Sequence, residues 1–118
     1  MNIPEKNDKK SPIENKRLYG MLGFAMRAGR VIIGSEQVFA AMAKRDRARV
    51  LLACYTVDAS PAAKKRATTK GEFYGVTTIE LPITADELGK LLGKSYAPVT
   101  VGIADEGFAR EILKALTD

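Results

Sequence analysis

Histidine is absent from this chain of 118 residues, and cysteine occurs once, as Cys54. The first absence excludes Ser-His and Cys-His nucleophilic pairs, imidazole acid/base chemistry and nearly every common zinc site. The second excludes an internal disulfide framework and points to a cytoplasmic setting. Cys54 closes the apolar run VLLAC and reads as a small buried hydrophobe rather than a reactive thiol. Long hydrophobic runs are also lacking: none approaches the roughly eighteen residues needed to cross a bilayer. The N-terminus has no apolar segment of a secretory signal, and the Gly-x4-Gly-Lys-Ser/Thr spacing of a phosphate-cradling loop does not occur. No cofactor and no metal are expected.

What is present is basic charge, unevenly spread. The net charge is +5. Between Arg27 and Lys70 ten Lys/Arg face only Glu36, Asp46 and Asp58, whereas from Pro98 onward Arg110 and Lys114 face Asp105, Glu106, Glu111 and Asp118. A footprint polarised in this way suits nucleic acid or another polyanion, or a plain solvated surface.

Residues 1–14, MNIPEKNDKKSPIE, combine two prolines with dense charge and read as a disordered basic arm ahead of one domain, residues 15–118. From Asn15 the apolar positions Leu18, Met21, Leu22, Ala25 and Met26 recur at helical spacing. Val31-Ile32-Ile33 then reads as a short strand ending at Gly34, with Ser35 as N-cap of a second helix through Val38, Phe39 and Met42. Arg49–Cys54 is a strand of the kind covered on both faces. Ser60-Pro61 opens a third helix, VTTIEL is a strand, Thr84 caps a fourth helix, VTVGIA is the last strand, and an acid-led helix ends the chain. The alternation predicts a three-layer α/β/α sandwich around a small four-stranded mixed sheet.

Three features can carry chemistry. Gly34-Ser35-Glu36-Gln37 lies where a strand meets a helix N-terminus, an end that presents unpaired N–H groups to phosphates or carbonyl-rich edges; it also reads as an ordinary capped turn. Glu36 and Asp58 follow successive strand ends and can be neighbours, which suits acid/base work, but each also reads as a helix-start residue. With no nucleophile–base set beside them, the chain reads as a non-catalytic protein. Lys64-Lys65-Arg66 on the third helix adds to the basic region of Arg27, Arg30 and Lys44 to Arg49. Among the aromatics, Phe73 and Tyr74 read as core closure, and Tyr96 in GKSYAP as the exposed one.

In order along residues 16–117 stand the stretches YGMLGFAMRAGRVIIGSEQVFAAM, VLLACYTVDASPAAKKRATTK, EFYGVTTIEL, DELGKLLGKS and VGIADEGFAREIL. Their resemblance is to the family of ribosomal proteins L7Ae and L30e, nearest its bacterial YlxQ-type members. It implies an L30e-like sandwich that binds structured RNA, such as a kink-turn or ribosomal RNA, in ribosome-associated or translation-related work. It further implies that Gly34 lets its backbone approach RNA, that Gln37 sits where kink-turn binders commonly have Glu or Gln, and that Lys94, Ser95, Tyr96, Ala97 and Pro98 form a loop covering an extruded nucleotide. Arg27 and Arg30 match basic positions ahead of the glycine. RNA-contacting residues are thus expected at Arg27, Arg30, Gly34, Ser35, Glu36, Gln37, Lys64, Lys65, Lys94, Ser95 and Tyr96. The chain departs from the family at Glu36, where the family has an Asn that reads G·A pairs, and at Ala40, where it has a phosphate-contacting Lys. Glu36 then either accepts from base amino groups or faces away. No long apolar stripe demands a dimer, so a monomer is expected. The alternative function is a protein-interaction module docking an acidic partner of the transcription or translation machinery.

Overall fold

The computed structural model describes residues 12–117. Five helices and four strands alternate: α1 Pro12–Arg27, β1 Val31–Ile33, α2 Ser35–Met42, β2 Leu52–Thr56, α3 Pro61–Tyr74, β3 Thr77–Leu81, α4 Ala85–Leu91, β4 Thr100–Ile103 and α5 Glu106–Thr117. The arm expected over 1–14 lies outside the described residues except for its last three, which belong to α1. That helix begins at Pro12 rather than Asn15, because proline is well tolerated in a first helical turn, where its missing N–H has no partner to lose.

The sheet order is β1-β4-β2-β3, with β4 antiparallel to β1 and β2, and β2 parallel to β3. Side chains alternate across it. Leu52 and Cys54 of β2, with Val101 and Ile103 of β4, pack against Leu18 and Leu22 of α1, Leu88 of α4 and Ile112 of α5. Ala53 faces the other way, into a second cluster with Val38, Phe39 and Met42 of α2 and Ala67 of α3. Both faces are therefore covered, and the structure is the expected three-layer sandwich with a mixed four-stranded sheet.

β2 runs from Leu52 to Thr56, later than the Arg49–Cys54 read from hydrophobicity. Its limits come from its neighbours: Tyr55 pairs with Thr100 and Thr56 with Leu81. Val50 instead donates its N–H to Ala41, and the Arg49 guanidinium donates to the Tyr74 carbonyl at 2.9 Å.

The strand directions decide where each loop lies. The C-terminal ends of β1, β2 and β3 and the start of β4 share one end of the sheet, so Gly34, Asp58, Thr84 and the loop before Thr100 gather there. The other end holds the start of β1, the end of β4 and the α2–β2 connection.

Candidate nucleic-acid interface

At the first of these ends the chain turns from β1 into α2 within a single residue. Gly34 adopts φ 105° and ψ 139°, a conformation open to glycine and strained for any other residue. Its N–H donates to the Thr100 carbonyl and its own carbonyl accepts from Val38 N–H, both at 2.9 Å, so one residue finishes the sheet and starts the helix. Gly34, not Ser35, is consequently the N-cap, and no side chain caps α2. Because the turn is complete at Gly34, Ser35 is already helical, and its hydroxyl donates to Thr100 Oγ1 at 3.0 Å. The first-turn N–H groups of α2 thus have no partner within the helix and face outward with its positive end.

Gln37 lies back over this turn. A Cβ on Gly34 would stand 2.5 Å from Gln37 Oε1, so the amide occupies the space a side chain would need. Glu36 does not stand alone. It accepts from Arg66 at 2.8 Å, and the same guanidinium lies 5.1 Å from the centre of the Phe39 ring. Arg66 therefore ties α2 to α3 and neutralises the Glu36 carboxylate. In sequence it was only the third member of a basic run; the pairing depends on two helices lying side by side.

Asp58 has a separate task. Its Oδ1 accepts the Ala85 N–H at 3.0 Å, fastening the β2–α3 loop to the start of α4. The Thr56 hydroxyl beside it and then that N–H hold its carboxyl below the usual carboxylate range. Helix α4 is capped by Thr84, which accepts the Glu87 N–H while the Glu87 side chain accepts the Thr84 N–H.

The loop 94–99 returns across α4 at Gly89. A Cβ there would lie 2.2 Å from the Tyr96 carbonyl oxygen, and the Lys94 N–H donates to the Gly89 carbonyl at 2.8 Å. Gly89 is thus the seat of the loop, a role invisible in the sequence because its partner is reached only through the fold. The Val99 carbonyl accepts from Thr56, which delivers the chain to Thr100 beside Gly34. Ser95 and Tyr96 are exposed and Lys94 half-buried.

Of the expected contact residues, Gly34, Ser35, Glu36 and Gln37 share this end with Lys94, Ser95 and Tyr96 and with the first turns of α3. There Lys65 is exposed and Lys64 pairs with Glu80 at 3.0 Å. Arg27 and Arg30 do not join them. Arg30 stands just before β1, about 13 Å from Gly34 at strand rise, and Arg27 ends α1 ahead of it. The Arg30 guanidinium donates to the carbonyls of Arg47 and Ala104, and that of Arg27 lies 4.9 Å from the Phe24 ring. Proximity in sequence placed them ahead of the glycine; a strand between them carries them to the opposite end. Phe73, expected in the core, is 78% exposed.

A covered mixed sheet, a one-residue glycine turn into an uncapped helix, and a loop seated beside it define an L30e-like α/β/α protein. Solved structures agree with that class. A protein of unknown function from Bacillus halodurans superposes with a TM-score of 0.77 at 27% identity, covering 86% of this chain and 98% of that one. The Giardia lamblia 15.5kD RNA binding protein shares the fold with a TM-score of 0.69 at 13% identity, covering 97% and 93%. Two relatives named RNA-binding protein YlxQ are similar in sequence over most of their length. The one from Enterococcus faecium is 31% identical over 96 residues, which is 81% of this chain and 87% of the relative. That from Bacillus subtilis is 34% identical over 98 residues, 83% and 93% respectively. The chain belongs to the YlxQ family, a non-enzymatic one. No protein-family model matches the sequence. Among the described residues no helix is long and apolar enough to cross a membrane.

Proposed function

We propose that this chain binds structured RNA, of kink-turn type or within ribosomal RNA, through the edge formed by Gly34–Gln37 and the loop 94–98. The observation that carries the reading is the turn at Gly34. It has no side chain to hold RNA away, it exposes the first N–H groups of α2, and it keeps the Gln37 amide where a base edge can meet it. Lys65 and Lys94 supply attraction to phosphates while Lys64 is held by Glu80, and Tyr96, 56% exposed, offers a face to an unstacked base. The Glu36–Arg66 pair leaves the acid neutralised, so phosphates are not repelled from the edge. The relatives' names support RNA as the partner. We take the protein to act as a cytoplasmic monomer in ribosome-associated or translation-related work.

The test is a titration of a kink-turn RNA and a plain duplex of equal length at two salt concentrations, with the wild type, Gly34→Ala and Gln37→Ala. Tighter and less salt-sensitive binding to the kink, lost in both variants, is the expected result. Equal, purely salt-driven binding to both RNAs would overturn the kink-turn reading. No binding to either, with an acidic protein partner retained after nuclease treatment, would overturn RNA binding altogether.

A further inference from the structure

The fold divides the basic stretch between the two ends of the sheet, and the edge around Gly34 uses the smaller share. At the other end, where α2 and α3 finish, Lys44, Arg45, Arg47 and Arg49 gather in the connection to β2. Among the described residues none of these four has an ion-pair partner. Asp46 between them is engaged locally, its Oδ1 accepting the Ala48 N–H at 2.9 Å; Glu72, exposed on α3, is the carboxylate next to Phe73 in the chain. Arg30 braces the loop by donating to the Arg47 carbonyl at 2.6 Å.

An open cavity of about 500 Å³ lies here, lined by Met42, Ala43, Arg45, Arg49, Phe73 and Tyr74. Phe73 is the most exposed large hydrophobic side chain described, at 78%. Its ring stands perpendicular to that of the adjacent Tyr74, with centroids 4.8 Å apart. Arg49 is oriented by the Tyr74 carbonyl, and its buried Nε has no acceptor among the described residues. An exposed ring of this size adds little to folding, and it acquires a purpose if something planar and anionic seats here.

We propose that this end of the sheet is a second RNA contact, in which an unpaired base stacks on Phe73 while Lys44, Arg45 and Arg47 neutralise the flanking phosphates. An aromatic face flanked by cations accepts any base, since every base has a π-face. A cluster of unpaired cations in one loop is matched by a continuous phosphate backbone better than by scattered carboxylates. The contact shares its ligand class with the proposed function and none of its residues, so the two stand or fall separately.

The probe is a short oligouridylate, which has unpaired bases and no kink. The chain contains no tryptophan, so Phe73→Trp introduces a single reporter whose emission a stacked base quenches. Quenching of the Phe73→Trp protein is expected. Phe73→Ala should weaken binding roughly tenfold, and the triple replacement of Lys44, Arg45 and Arg47 by Ala should shallow the salt slope by about two units. The thermal midpoint of Phe73→Ala, a surface change, should stay near that of the wild type. If kink-turn binding proves indifferent to Gln37→Ala while oligouridylate binding depends on Phe73, the second contact stands and the first edge falls. Affinity and salt slope equal to wild type in Phe73→Ala, or no change in emission of the Phe73→Trp protein, would overturn the proposal. So would an acidic protein retained by the wild type and lost by Phe73→Ala while oligouridylate binding is unaltered.

Discussion

Glu36 shows how a single side chain changes what an edge can do. Paired with Arg66 at 2.8 Å and largely exposed, it stabilises the fold by no more than about 1 kcal/mol. On the proposed function its larger effect falls on charge, because the carboxylate occupies a cation that would otherwise face phosphates. Glu36→Gln is therefore expected to leave the thermal midpoint almost unchanged while steepening the salt dependence of RNA binding by about one unit, measured by titration at several ionic strengths. Cys54 shows the opposite situation, a reactive group without access. Burial pushes its thiol up to about 12, so at neutral pH it is protonated and shielded. A thiol reagent should modify the native protein only as fast as the protein unfolds, and denaturant should release the full reaction. Its inertness was legible in the sequence, since the apolar run around it already implied burial. The Glu36–Arg66 pair was not, because thirty residues separate its partners.

Elements are joined in this fold through short, specific contacts at the end of the sheet that carries the proposed edge. Helix α4 and the loop 94–99 meet at Gly89 with no room for a methyl group, and the opposing atom is a backbone carbonyl that cannot swing aside. Gly89→Ala should displace the loop and lower the melting temperature. On the proposed function it should also weaken RNA binding more than Tyr96→Ala does, since the whole cover moves and not one ring. Asp58 makes the second junction, between the β2–α3 loop and α4. Its pKa is lowered in the folded state from an ordinary value of 3.8, so its stabilising effect is fully present above that pH. The effect is lost as the pH falls below 3.8 toward the folded-state value. Acid unfolding of Asp58→Asn should accordingly show a flatter dependence on pH in that window than the wild type, followed by circular dichroism. Thr84 as the cap of α4 was readable in advance, whereas Asp58, read as a start residue of the helix after it, serves the start of α4 twenty-seven residues on. Gly89 was not readable, because the residue that crowds it belongs to a later turn of the chain.

The whole molecule is a sheet with two covered faces and two unlike ends. Its stability rests on the central strands, where Leu52 is 2% exposed and packs with α1, α4 and α5. Leu52→Ala should cost about 2–5 kcal/mol with an unchanged dependence on denaturant, because the cavity it leaves cannot collapse between layers already in contact. The charge of the molecule follows the sheet as well. Arg27, Arg30, Lys44, Arg45, Arg47 and Arg49 go to one end and Lys64, Lys65, Arg66 and Lys94 to the other, so a footprint that is continuous along the chain is divided in space.

Local pattern by itself determined the order of helices and strands, the three layers, the buried cysteine and the turn at Gly34. Each of these depends on residues a few positions apart, whose spacing dictates which side chains share a face. Only the tertiary structure decided that Ser35 is inside the helix, that Arg30 serves two carbonyls, that Glu36 is held by Arg66 and that Phe73 stands in water. Those outcomes depend on β4 closing between β1 and β2 and on α2 and α3 lying together across one face. The partners that such closure brings into contact are set by strand order and register, which span the chain and leave no periodic trace in it.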